Sequence, residues 1–322
     1  MFVLADARHF PGLVALVNSL RLHGRREPIT VLDLGFEPEQ RAALQDECEF
    51  VAPPEHSPRH PWLLEPRACM TREAEIVVYV DADVVVTGPL DGALRAARAG
   101  KVVLFADLME DRRFDEWQEI FGLRGPVRHQ TYGNAGFLAF STQHFPDLLA
   151  RWAECCERIV GETTYLDTGS FDSPTALSSQ DALNAILMSE LTPDQVDIQP
   201  AEAESQGQVQ LTGTRVVDLT DLRCQRGGHA VALLHAWGTP KPWEPPARPT
   251  LRRSAYLTCL RRLLVAPDVA VQAPGALLPS WLRAGVRGRL SLWYLTQARR
   301  PWRGTRERAK GLAEELAGRL RR

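Results

Sequence analysis

The chain has 322 residues, 44% of them hydrophobic and 24% charged, with a net charge of −2. This is the composition of an ordinary soluble globular protein, long enough for one large domain with an appendage. No apolar run is long enough to cross a bilayer, the acid at Asp6 in MFVLADARHFPG argues against a signal peptide, and six cysteines without CxxC spacing read as free thiols of a reducing cytoplasm, not as a disulfide framework or a zinc site.

Residues 2–5 (FVLA) read as a short apolar strand that stops at Asp6. Pro11 then opens a helix with Leu13, Leu16, Val17 and Leu20 on one face and Gly24 just past its end. PITVLDLG (28–35) is the next strand, and this βαβ start favours a parallel sheet whose ligand crevice lies at the strand C-termini. The strand over 75–80 is apolar except for Glu75, as a central strand should be, and runs into VVYVDADVVVTGPL (77–90). Side chains two apart on an extended backbone point the same way, so Asp81 and Asp83 aim two carboxylates at one spot. Such a pair suits a shared cation or an acid/base task; the plain alternative is a solvated turn.

KVVLFAD (101–107) is another strand ending in an acid, Asp107, so three strands deliver aspartates to one sheet edge. YGNAGFLAFS (132–141) carries Asn134, Ala135 and Gly136 into a strand, and SSQDALNAIL (178–187) opens a helix on Gln180 and Asp181. LLHAWGTPKPW (233–243) ends a short apolar run on His235, with Gly238 and Lys241 following. Beyond it, EPPARPT reads as a proline-rich linker, and Leu251–Val265 sets Tyr256, Leu257, Leu260, Leu263 and Leu264 at helical spacing. Residues 280–304 mix Trp281, Trp293, Tyr294 and Trp302 with arginines, and a charged helix closes the chain. From Pro245 to Arg322 there are 17 Lys/Arg against 4 Asp/Glu, so the tail is basic and the body acidic. That asymmetry points to an anionic partner, and aromatics among arginines suit an anionic membrane surface better than a nucleic acid. The expected division is a catalytic unit over 1–244 and a basic, mostly helical extension over 245–322.

Taken together, the Asp81-Ala82-Asp83 strand end, Asn134-Ala135-Gly136, Gln180-Asp181 with Asn184, and His235, Gly238, Lys241, Pro242, Trp243 resemble, in order and spacing, glycosyltransferase family 8. The resemblance spans roughly residues 1–243 and implies a metal-dependent retaining enzyme of GT-A fold. Such a fold is α/β, with a Rossmann-like, mostly parallel central sheet and flanking helices, and the helical extension is added to it here. It further implies that Asp81, Asp83 and His235 hold Mn²⁺ or Mg²⁺ against the diphosphate of a nucleotide sugar, most naturally UDP-glucose or UDP-galactose. Gln180, Asp181 and Lys241 form the implied catalytic set, Lys241 meeting charge on the leaving diphosphate. Ala5, Asp6 and Arg8 match the nucleoside-binding stretch, Ala82 and Gly238 the close backbone approach, and Asn134 the face towards the sugar.

Three positions depart from the family pattern: Ser179 replaces an aspartate, Glu65 before Pro66 replaces a lysine, and His9-Phe10 replaces the commoner tyrosine. The implied partners are a nucleotide sugar, a glycan, lipid or small-molecule acceptor, and an anionic inner-membrane face touched from the cytoplasm. Competing readings are a haloacid-dehalogenase-like phosphatase with Asp81 as nucleophile, a silent nucleotide-sugar-binding protein, and a membrane-recruited scaffold. Residue by residue, His235 alone would suit a core histidine, Gln180 and Asp181 a helix N-terminal polar cluster, Asp107 either an acceptor contact or an ordinary strand end, and Arg8 a simple ion pair.

Overall fold

The computed structural model describes residues 1–55, 60–159, 164–200, 204–206, 213–244 and 254–286. β1 (Phe2–Ala5) leads into α1 (Phe10–Leu22), β2 (Ile29–Asp33), α2 (Pro38–Leu44) and β3 (Cys48–Val51). α3 (Glu65–Cys69) precedes β4 (Ile76–Val80), β5 (Val84–Val86), α4 (Asp91–Arg98) and β6 (Val102–Ala106). Next come α5 (Trp117–Ile120), β7 (Gly133–Ser141), α6 (Leu148–Glu157), α7 (Tyr165–Thr168) and α8 (Ser179–Ser189). The short strands β8 (Val196–Gln199), β9 (Glu204–Gln206), β10 (Arg215–Asp218), β11 (Arg223–Arg226), β12 (His229–Val231) and β13 (Leu233–His235) lead to α9 (Ala255–Val265).

The main sheet has seven strands in the order β3-β2-β1-β4-β7-β6-β8. Its strands are parallel except β7, which pairs antiparallel with both β4 and β6. Alternation along β4 splits the core: Val78 and Val80 face a cluster with α1, α4 and α9, while Val77 and Tyr79 face one with α5, α6 and α8. Covered on both faces, β1, β4 and β6 are apolar throughout.

Reversal of β7 matters for function. Val80 pairs with Phe137 and Ala106 with Gly133, so the start of β7 lies beside the ends of β4 and β6. Asn134 and Gly136 thereby reach the edge that carries Asp81 and Asp107. A small sheet, β5-β13-β9, folds over the same edge and sets His235 opposite Val84, one residue after Asp83.

α1 begins with Pro11 in its first turn and ends before Gly24, which holds a φ of +74°. It is buried around nearly its whole circumference, where the sequence pattern indicates one apolar face. The reason is α9, which covers the side facing away from the sheet. Asn18 on α1 donates to the carbonyls of Leu263 and Val271 at 2.9 and 3.0 Å and accepts from the Val271 N–H at 2.7 Å. α9 is capped by Ser254, whose Oγ accepts from the Leu257 N–H, and it buries Tyr256, Leu257, Leu260, Leu263 and Leu264. Together with Leu278, Trp281 and Leu282, these residues belong to the same core as α1. The described part of the extension is thus packed into the body. The linker over 245–250 and the basic stretch from 287 onward, with Trp293, Tyr294 and Trp302, lie outside the described residues. Among the described residues no helix is long and apolar enough to cross a membrane.

Candidate functional site

β4 stops at Val80, and a tight turn follows in which the Val84 N–H donates to the Asp81 carbonyl at 3.1 Å. The turn is pinned on both sides: the Asp81 N–H donates to Gly136 on β7, and the Ala236 N–H after β13 donates to Asp83. His235 Nε2 consequently stands 3.4 Å from Asp81 Oδ2 and 3.3 Å from Asp83 Oδ1. One ligand atom from each of the three residues falls within 4.8 Å of the others. Two carboxylates and one imidazole at this spacing form a donor set suited to a hard or borderline divalent cation such as Mn²⁺ or Mg²⁺. Asp83 and His235 are buried, whereas the Asp81 side chain is 31% exposed, so the group opens to solvent on one side.

Lys241 completes the cluster. Its Nζ lies 2.5 Å from Asp83 Oδ2 and 3.4 Å from the Ala236 carbonyl. The chain returns from His235 to Lys241 through Gly238 at a φ of +84°, a conformation that strongly favours glycine. Burial opposes ionisation of Asp83, but the Lys241 ammonium and His235 outweigh it and hold the carboxyl well below its ordinary range. Tyr79 donates to Asp81 Oδ1 at 2.8 Å from beneath.

Two glycines leave room for this arrangement. A Cβ on Gly136 would overlap the His235 ring and stand 2.8 Å from its Nδ1. A Cβ on Gly12 would lie 2.5 Å from both the Ala82 carbonyl oxygen and the Trp243 ring. α1 thus packs directly under the backbone between the two aspartates.

The residues that follow β1 meet the C-terminal motif. Trp243 Nε1 donates to the Arg8 carbonyl at 2.8 Å, the Arg8 guanidinium pairs with both oxygens of Glu244, and Glu244 Oε2 accepts from the Lys241 N–H at 2.7 Å. Asp6, just past the buried Ala5, accepts from the His9 backbone at 3.1 Å and from its ring Nδ1 at 2.6 Å. Burial disfavours the Asp6 carboxylate, yet the His9 contacts lower its pKa overall.

A second polar group occupies the same edge. Asp107 Oδ2 accepts from Asn134 Nδ2 at 2.8 Å and from Gln180 Nε2 at 3.3 Å, while Gln180 Oε1 accepts from the Ala135 N–H. Asp181 sits deeper. It is fully buried, its two oxygens taken by Arg112 Nε and Nη2 at 2.7 and 2.8 Å, by Tyr132 Oη at 2.7 Å and by the Leu177 N–H at 2.7 Å. Gln180 is placed at the edge, whereas Asp181 is saturated by protein donors and anchors α8. Arg112 and Tyr132 are the residues that sequence reasoning missed, since neither stands in a motif with fixed spacing. Asn184 was visible only as part of a pattern; here it grips both backbone groups of Gly133, at 2.7 and 2.8 Å.

No protein-family model matches the sequence, and no curated protein matches it. Solved structures do resemble the fold. An active-site mutant of LgtC is 18% identical with a TM-score of 0.53, covering 85% of this chain and 97% of that one. The galactosyltransferase LgtC in complex with donor and acceptor sugar analogues is 18% identical with a TM-score of 0.51, covering 83% and 96%. The apo bifunctional glycosyltransferase WbbM is 15% identical with a TM-score of 0.53, covering 83% of this chain and 49% of that one. The fold is that of these GT-A proteins, an α/β architecture with a mostly parallel central sheet.

Proposed function

We propose that the chain is a metal-dependent, retaining glycosyltransferase of family 8 type that takes a hexose from a nucleotide sugar. The observation that carries this reading is the convergence of Asp81, Asp83 and His235 at the C-terminal sheet edge of a GT-A fold. UDP-glucose or UDP-galactose is the proposed donor, in keeping with the donor and acceptor sugar analogues held by LgtC.

When bound, the divalent cation would supply Lewis-acid stabilisation of the leaving diphosphate. The chain's own residues do the rest. Asp81 and Asp83 offer one oxygen each and His235 its Nε2, held in place by Tyr79 below and by the space left at Gly136. Lys241 brings a cation to the same edge, where it stabilises negative charge on a leaving group. Gln180 and Asn134, fixed against Asp107, present amides towards the sugar. Arg112 and Tyr132 fix Asp181, which we assign a positioning role. Ala5, Asp6 and Arg8 line the nucleoside side, with Ala82 and Gly238 keeping the backbone close. The phosphatase reading needs Asp81 free to attack phosphorus; its Oδ1 is bonded to Tyr79 and its Oδ2 faces His235, which favours a ligand role.

A thermal-shift panel of nucleotide sugars with and without Mn²⁺ tests this. A true donor at a hundredfold excess over its Kd stabilises the protein by about 2.7 kcal/mol. Stabilisation should require Mn²⁺ and disappear in Asp83→Ala. A panel without any Mn²⁺-dependent shift would sink the reading, as would phosphate release from an aryl phosphate through an acyl-phosphate on Asp81.

For location we propose a cytoplasmic protein that touches an anionic membrane surface through the basic residues of the extension. The acceptor would then be a glycan, a lipid-linked glycan or a small molecule near that surface.

A further inference from the structure

The six cysteines are all buried and free, and the fold brings two of them into contact. Cys224 lies on β11 and Cys259 on α9, with their sulfur atoms 3.9 Å apart across 35 residues of chain. Adjacency in sequence does not achieve this: Cys155 and Cys156 follow one another on α6, where successive side chains point apart. The contact arises because the hairpin sheet β10-β11-β12 packs against α9, so that Cys224, Val231, Cys259 and Leu260 share one core.

The two sulfurs join elements that frame the candidate site. Cys224 pairs with Val231 on β12, whose carbonyl accepts from Thr87 Oγ1 at 2.8 Å, and β13 with His235 follows directly. Cys259 sits on the helix that Asn18 ties to α1. Between the two cysteines the chain carries His235, Gly238, Lys241 and Trp243. The Cys259 thiol lowers the pKa of Cys224 against the opposing effect of burial, while the same contact, with burial, raises that of Cys259. Cys224 is therefore the sulfur that ionises first.

We propose that Cys224 and Cys259 are a redox-sensitive pair that closes a disulfide under oxidising conditions and clamps α9 to the sheet bordering the His235–Trp243 stretch. The oxidant is a low-molecular-weight disulfide of the glutathione type. The Cys224 thiolate attacks one glutathione sulfur, and the other glutathione leaves as a thiolate. Cys259 then loses its proton and attacks the Cys224 sulfur of the mixed disulfide, expelling the second glutathione. Two protein thiols are oxidised, one glutathione disulfide is reduced, and the two released protons pass to the leaving thiolates. The protein sulfurs close from 3.9 Å to about 2 Å. Cys224 and Cys259 are only 2% and 0% exposed, so the exchange goes through local opening of the hairpin against α9. In a reducing compartment the pair stays reduced until the glutathione pool is oxidised.

The test is native incubation of the full chain with excess oxidised glutathione, then unfolding in an alkylating agent and peptide mapping by mass spectrometry. A peptide pair joined through Cys224 and Cys259 is expected, with the other four cysteines alkylated. The oxidised chain should melt about 5 °C or more above the reduced one, and dithiothreitol should remove the gain. Cys259→Ala should melt at the same temperature with and without the oxidant; a gain that persists there overturns the assignment. So does the absence of a joined peptide from the wild type, or the joining of a different pair. A Cys224–Cys259 peptide without a higher melting temperature overturns the clamp. The wild-type map does not depend on any variant folding, and none of these readouts depends on the nucleotide-sugar reading.

Discussion

Gly136 carries no side chain because the His235 imidazole takes the space, and Asn134 Oδ1 accepts the Gly136 N–H at 2.8 Å on the other side. A methyl group there pushes the imidazole away from the two aspartates. Gly136→Ala should therefore weaken Mn²⁺ binding by about 10–100-fold, comparable to losing an orienting partner of a metal ligand, as read by the electron-spin signal of free Mn²⁺. Asp83 answers two needs, because it also neutralises buried Lys241. Removing one partner of a buried pair strands the other, so Asp83→Ala should cost about 3–5 kcal/mol in urea unfolding without metal. Adding Lys241→Met should restore part of that, and a simple sum of the two losses would contradict the pairing. At the rim, the Arg8 hydrogen bonds lower the Glu244 pKa from its ordinary 4.5, against a smaller opposing effect of burial. As pH falls through 4.5 the unfolded chain takes up the proton first, so this contribution is present above that value and is lost as pH falls through the folded one. Arg8 is 49% exposed and solvent screens the pair, so Glu244→Gln should flatten the acid limb of a stability profile by no more than about 1 kcal/mol.

Strand direction is what places these residues. β4 and β6 end in aspartates, and β7 starts where they end, so one antiparallel strand brings the Asn134–Gly136 stretch to the edge that two parallel strands supply. α8 then lies with Gln180 against Asp107 and the Ala135 backbone. At this scale the sequence was most readable: the apolar runs over 75–80 and 101–107, the Pro11 helix start and the spacing of Tyr256 to Leu264 all became elements near the expected bounds. Two features were not readable. Alternation and apolar runs report which faces of a strand are buried, not which way it runs, so the reversal of β7 has no local signature. The full burial of α1 likewise depends on α9, which arrives more than 200 residues later. Asn18→Ala tests that junction, since it strands the Val271 N–H and two carbonyls in the interior. A loss of about 1–3 kcal/mol in thermal or urea unfolding is expected, and an unchanged midpoint would mean that α9 does not depend on Asn18.

Across the whole molecule, charge is divided between an acidic body and a basic end. Because 254–286 shares the core with α1, truncation for membrane tests should begin after Val286 rather than at the proline-rich linker. A chain ending there should keep its melting temperature and lose sedimentation with anionic vesicles at low salt; undiminished sedimentation would remove the membrane proposal. What the sequence determined by itself was the set of strands that run into acids, the pairing of Asp81 and Asp83 on one side of the chain, and the order of motifs, because burial and backbone geometry act inside single elements. The fold class and the full set of candidate metal ligands were implied by the family resemblance that those motifs carry. The tertiary structure supplied the distances at which His235 closes on the aspartate pair far upstream, and it alone decided that Lys241 pairs directly with Asp83 across 158 residues, that Asp181 is spent on Arg112 and Tyr132, and that Glu65 meets Ser179. Such meetings depend on how packed elements direct their ends towards one another, and no periodicity along the chain records that.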